Sequence, residues 1–203
     1  IETNEFLAVN QFTIEDINPI TRAKTNRRPD IVLFVNGLPL VVIELKNTAD
    51  EQATIRKAYN QLQTYREDIP SLFRYNGLVA ISDGIDARLS VLGAGWEYFK
   101  PWRAVDTDGK IDPYPTQLET LIRGVFAPSY LLDIVRSFIV FEQDGANLTK
   151  KVAAYHQYHA VNKAVERTVT ATDAVGDRKV GVVWHTQGSG KSLSMLFYAG
   201  KII

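Results

Sequence analysis

The stretch Arg28–Asn47, RPDIVLFVNGLPLVVIELKN, decides the fold. Two β-rich runs, Ile31–Val35 and Leu40–Lys46, flank Asn36-Gly37, a dipeptide that closes hairpins because both positions accept positive φ. Glu44 and Lys46 are two apart on the second run, so they point to one face. Asp30 opens the first run. A three-residue loop at Asn36-Gly37-Leu38 pairs Val35 with Pro39 and sets Asp30 opposite Glu44; a two- or four-residue loop moves the partner by one position. In the first register, Asp30, Glu44 and Lys46 converge at one end of the hairpin.

Two carboxylates so placed repel unless a cation lies between them, and hard oxygen ligands suit Mg2+. A lysine beside them can orient a water or offset charge on a pentavalent phosphate. The chemistry this points to is phosphodiester hydrolysis, with Asp30 and Glu44 as metal ligands and Lys46 as the third catalytic residue. Glu-x-Lys on an exposed strand face is common and carries little by itself. Here the apolar run Leu40–Ile43 draws Glu44 toward a core edge, where a charge needs a partner or a metal. Upstream, Arg22, Lys24, Arg27 and Arg28 read as a basic loop that brings positive potential to an approaching DNA backbone.

Working outward, Phe6–Ile14 has strand composition, and 50–66 reads as a helix with Ile55, Ala58, Leu62 and Tyr65 on one stripe. Gln61 and Tyr65 are four apart on it and share a side. Gly77–Ser82 and Ala87–Leu92 read as strands around an Asp83-Gly84 turn. Residues 93–115, rich in Trp, Gly, Asp and Pro, read as an irregular excursion. Thr116-Gln117-Leu118-Glu119 is a capping box opening a helix to about Phe126, and Pro128-Ser129 opens another to about Phe138. The expected domain boundary is at Asp144-Gly145, giving units of 1–143 and 144–203. Helices are expected over Tyr155–Val169 and from Lys191, with a buried strand over Val180–Trp184. The pattern predicts an α/β protein: a mixed central sheet flanked by helices, then the opening of a second αβ unit.

The second unit holds His185-Thr186-Gln187-Gly188-Ser189-Gly190-Lys191-Ser192, expected between a strand and a helix, as a phosphate-binding loop requires. Gly188, Ser189 and Gly190 would turn backbone N–H groups onto phosphates, the helix start would add favourable potential, Lys191 would reach the β/γ-phosphates, and Ser192 would hold Mg2+. The strict pattern has glycine where this chain has His185. Gln157, upstream on a helix, carries an amide that both donates and accepts, as an adenine edge demands. His156 and His159 are three apart, but with no third ligand they read as surface or packing residues.

Bulk properties narrow the classes. The 203 residues are 45% hydrophobic, enough for one sizeable core and part of another. Lys plus Arg equals Asp plus Glu at 23 each, which argues against a coat of non-specific phosphate contacts but leaves room for a local DNA site. The absence of cysteine excludes disulfides and thiolate metal sites and fits a cytoplasmic location. No apolar run reaches membrane-span length and no signal peptide pattern opens the chain. We read it as part of a longer protein.

The wording of 28–47 resembles the nuclease signature of type I restriction enzyme R subunits, within the PD-(D/E)xK nuclease superfamily. The resemblance runs from about Val9 to the last residue. It implies a restriction-endonuclease-like domain with Asp30, Glu44 and Lys46 at the metal and catalytic positions. Gln61 and Tyr65 resemble the Gln-xxx-Tyr element of RecB-like nucleases. The loop at Lys191 is similar to the helicase variant Gly-x-Gly-Lys-Ser, which implies the start of a RecA-like lobe of a superfamily 2 motor, with Gln157 reading adenine. The family further implies ATP, Mg2+, double-stranded DNA, and methyltransferase and specificity subunits as partners. Many such nucleases carry another acidic residue on an earlier helix, and no candidate for it stands out here. No Walker B segment follows the loop, so this stretch alone is not expected to turn ATP over. A RecB-like repair nuclease-helicase and a degenerate DNA-docking module are the competing readings; nuclease-before-motor order opposes the former and the intact triad the latter.

Overall fold

A computed structural model describes residues 2–47, 54–106 and 116–203. The centre is a five-stranded mixed sheet. Its strands are β1 (Phe6–Asn10), β4 (Ile31–Val35), β5 (Leu38–Leu45), β6 (Leu78–Ser82) and β7 (Ala87–Ser90), adjacent in that order. Only β5 and β6 run parallel, and helix α1 (Ile55–Asp68) lies in the crossover between them. One sheet face packs Val32, Val42, Val79 and Ile81 against Ala58, Leu62 and Tyr65 of α1. The other packs Val41, Ile43, Leu78 and Ala80 against α3 (Pro128–Ser137) and α4 (Tyr155–Thr172). Helices thus flank a mixed sheet, as expected. Among the described residues no helix is long and apolar enough to cross a membrane.

The hairpin reaches the expected register by another route. The turn is a two-residue one: Val35 pairs with Leu38, and Asn36 and Gly37 have φ of 50° and 78°. The register then shifts between Leu33 and Phe34, so that Leu33 faces Val41 and Ile31 faces Ile43. Pro39, which has no N–H for the ladder, sits beside this bulge. The extra residue restores the alignment that a three-residue loop would have produced, and it brings Asp30 abreast of Glu44.

Several local expectations need correction. Phe6–Ile14 is not one strand. Gln11, at φ 55°, ends β1, and the chain re-enters as β2 (Ile14–Ile17). The basic loop is instead largely strand β3 (Lys24–Arg27) paired with β2, with Lys24 on Glu15 and Arg27 on Asp68, both at 2.6 Å. Two of its four cations are therefore neutralised. At the expected boundary, Asp144 ends β8 (Ile139–Asp144) and Gly145-Ala146 turn the chain into β9 (Asn147–Val152). Apolar packing continues past this point, since Phe138, Tyr158 and Phe197 belong to one buried cluster with Val41 and Leu78. Val180–Trp184 forms no strand, and Val182 and Trp184 are exposed. Without a neighbouring strand among the described residues, its backbone groups have no ladder to join.

Other expectations hold with shifted ends. The helix expected from 50 is described only from Ile55, because 48–53 lie outside the described residues. The Thr116 hydroxyl accepts from Glu119 N at 3.2 Å and opens α2 (Gln117–Leu121), which continues as a π turn through Phe126. Of the excursion 93–115, the described part buries Phe99, Trp102 and Ala104, while 107–115 lie outside the described residues.

Candidate nuclease centre and phosphate-binding loop

Glu44 sits near the end of β5 and is only 1% exposed. Its Oε1 accepts from Lys46 Nζ at 2.8 Å, while its Oε2 is buried with no hydrogen-bond partner. Burial, opposed by the Lys46 hydrogen bond and reinforced by the nearby Asp30 charge, pushes the carboxyl up from 4.5 to about 7. A buried carboxylate oxygen without a donor is costly, and a cation at that oxygen removes the cost. Asp30 is fixed from two sides. Its Oδ1 accepts from Gln11 Nε2 at 2.7 Å, and its Oδ2 accepts from the Leu45 backbone N–H at 2.8 Å. Gln11, which the sequence reading did not single out, also donates its backbone N–H to Asp30 O at 2.7 Å. Nothing in its sequence context marks it.

Lys46 and α1 complete the cluster. Lys46 Nζ donates to Gln61 Oε1 at 2.5 Å, and Gln61 Nε2 donates to the Tyr65 hydroxyl at 2.5 Å. Burial and then the Glu44 charge push the Tyr65 phenol up to about 12, so it stays protonated. Glu44, Lys46, Gln61 and Tyr65 therefore form one hydrogen-bonded chain, and the charge of Asp30 acts on it at Glu44. Two carboxylates, one unsatisfied oxygen and one lysine fit a hard divalent cation. Among the described residues there is no group of three or more His, Cys, Asp or Glu for a metal.

The loop before α5 (Lys191–Ile202) turns at two glycines. Gly188 and Gly190 both have φ of 78°, and Gly190 caps α5 in the left-handed region. Lys191 Nζ donates to the carbonyls of His185 and Thr186 at 3.1 and 3.2 Å. Lys191 and Ser192 are exposed. Gln157 is buried at 4% exposure and holds the loop: its Nε2 donates to Gly190 O at 3.0 Å while its Oε1 accepts from Ala154 N at 2.9 Å. His156 Nε2 lies 3.1 Å from Ser189 O, and His159 Nε2 lies 3.2 Å from Ala104 O. The two histidines therefore have separate partners.

Known proteins match both parts of the chain. Residues 1–96 match the family model described as type I restriction enzyme R protein N terminus, and residues 156–203 match that described as SWI2/SNF2 ATPase. The chain is 51% identical over 203 residues to the type I restriction enzyme HindI endonuclease subunit of Haemophilus influenzae, covering 98% of this chain and 19% of that protein. It is 34% identical to the putative type I restriction enzyme MjaIXP endonuclease subunit of Methanocaldococcus jannaschii, over 100% of this chain and 20% of that protein. It is 30% identical to the type I restriction enzyme SsaAORF53P endonuclease subunit of Staphylococcus saprophyticus, over 98% of this chain and 19% of that protein. The chain thus spans about a fifth of the length of these curated relatives. Residues 1–96 thus belong to the type I restriction enzyme R protein N-terminal family, and the chain is similar to these endonuclease subunits from one end to the other.

Proposed function

We propose that the chain supplies the DNA-cutting centre and the ATP-binding loop of a type I restriction enzyme motor subunit. The observation that carries the nuclease reading is Glu44, whose buried Oε2 has no protein partner beside Asp30 and Lys46. In this reading Asp30 and Glu44 hold Mg2+. When bound, the ion lowers the pKa of a water and polarises a phosphoryl oxygen. Lys46 orients the attacking water and offsets charge on the phosphate. Gln61 holds Lys46 in place, and Tyr65 fixes the Gln61 amide. The substrate is double-stranded DNA.

Residues 1–143 carry the nuclease site and 144–203 open the RecA-like motor lobe, the two sharing the buried cluster that continues across the β8–β9 hairpin. Gly188, Ser189, Gly190, Lys191 and Ser192 bind the phosphates of ATP and its Mg2+. Gln157 reads adenine after exchanging its bond to Gly190, or else shapes the loop as it does without nucleotide. The apolar run Val180–Trp184 would pair with strands supplied by the rest of the motor. Methyltransferase and specificity subunits locate the DNA site.

Two contrasts test this reading in the full-length subunit assembled with those partners. Lys191→Ala should remove ATP hydrolysis and translocation, whereas Asp30→Ala or Lys46→Ala should remove cutting and leave ATP turnover intact. Equal ATP turnover in Lys191→Ala and wild type would show the loop to be misassigned. Cutting that does not require the specificity subunit would instead favour a stand-alone repair nuclease.

A further inference from the structure

Two arginines lie over a single indole near the nuclease centre. Arg88 Cζ is 4.6 Å and Arg56 Cζ is 4.8 Å from the Trp96 ring centroid, and Arg56 also lies 5.0 Å from the Tyr59 ring. Tyr59 meets Trp96 and the buried Phe99 edge-on, with centroids 5.7 and 5.1 Å apart, so the platform is anchored in the core. Among the described residues neither arginine forms an ion pair with a carboxylate. A guanidinium placed over an aromatic face still has N–H groups to offer a bidentate anion such as phosphate.

The position of this stack relative to Glu44 is set by the sheet. Glu44 pairs with Ile81, and Ile81 pairs with Arg88. Residues directly opposite one another share a face, so Arg88 leaves the sheet on the side of Glu44, two strand spacings or about 10 Å away. On α1, Arg56 precedes Gln61 by five residues, roughly 7.5 Å along the axis. The separation of about 10 Å between Glu44 and Arg88 matches roughly three base steps of duplex DNA. The basic segment at 22–28 is partly neutralised by Glu15 and Asp68, which leaves this pair as a source of unpaired positive charge beside the centre.

We propose that Arg56 and Arg88, presented by Trp96, bind the phosphodiester backbone of the duplex that is cut at Asp30, Glu44 and Lys46. This rests on the nuclease reading above. The test uses the full-length subunit with Arg56→Gln/Arg88→Gln, with Arg56→Lys/Arg88→Lys, and with Glu44→Ala. Binding to a short duplex is titrated in EDTA over a range of salt concentrations. Cleavage of circular DNA is assayed with Mg2+ and ATP after assembly with the partner subunits. Removing two phosphate contacts should flatten the slope of log K against log salt by about two in the glutamine pair. Cleavage in that pair should fall on the order of 10-fold with ATP turnover unchanged. The lysine pair keeps charge without the stack and should retain the slope and most of the cleavage. If both pairs lose thermal stability alike and the salt slope stays at the wild-type value, the arginines serve packing and the proposal is overturned. An inactive Glu44→Ala beside a fully active glutamine pair overturns this proposal alone. Normal cutting by Glu44→Ala overturns the nuclease reading beneath it.

Discussion

Gln61 Oε1 accepts from Lys46 Nζ at 2.5 Å, while the same amide donates to the Tyr65 hydroxyl. The α1 residue therefore sets where the strand lysine points. Tyr65 is 3% exposed and fixes which end of the amide faces Lys46. Gln61→Ala should leave Lys46 tethered only to Glu44 and lower the cleavage rate by roughly 10- to 100-fold, as loss of a supporting hydrogen bond does at other centres. Single-turnover cleavage by the assembled enzyme, with ATP turnover as the control, measures this. Wild-type cleavage in the variant would show that Glu44 alone positions the lysine.

The raised Glu44 carboxyl has a consequence for stability. Between an ordinary 4.5 and about 7 the folded protein binds more protons here than the unfolded chain does. Stability without divalent metal should therefore fall as pH rises through that window and level off above it. A shift of this size corresponds to on the order of 3 kcal/mol at full ionisation. Thermal melts between pH 5 and pH 8, roughly the span of the window, should show the decline in wild type and lose most of it in Glu44→Gln. Added Mg2+ should raise the wild-type melting temperature more at the alkaline end, because the ion favours the ionised carboxylate. Identical pH profiles for wild type and Glu44→Gln would contradict the assignment of the strain to this residue.

Gly190 is constrained twice. Its φ is 78°, and a Cβ there would lie 2.6 Å from Gln157 Nε2. Gly190→Ala should cost about 1–2 kcal/mol in backbone conformation alone and weaken nucleotide binding. Gln157→Ala removes the clash but not the conformational cost. The two substitutions should therefore be non-additive, with a coupling of roughly 0.5–3 kcal/mol. Melting and titration of a fluorescent ATP analogue on the full-length subunit measure both effects, and strict additivity would mean that the Gln157 contact does not constrain the loop.

Legibility of the sequence followed burial. The β4–β5 hairpin was readable because its strands are apolar and its Asn-Gly turn is distinctive. The stripe of α1 was readable because Ala58, Leu62 and Tyr65 all face the sheet. The β2–β3 and β8–β9 hairpins are not legible because their strands are largely polar and exposed and their few apolar residues do not alternate with polar ones. Val180–Trp184 misled for the opposite reason: its composition suits a buried strand, but pairing depends on neighbours that lie elsewhere in sequence. The triad was legible as residue types and spacing, and the bulge after Pro39 shows why loop counting alone does not set register. The hold of Gln11 on Asp30 depends on β1 lying beside β4, which no local pattern announces.

Cleavage by Glu44→Ala tests the central assignment most directly. The assembled enzyme carrying this substitution is given unmethylated circular DNA, ATP and Mg2+, and ATP turnover and linear product are followed in the same sample. The assignment predicts wild-type ATP turnover with no linear product. Linear product accumulating at the wild-type rate would contradict it.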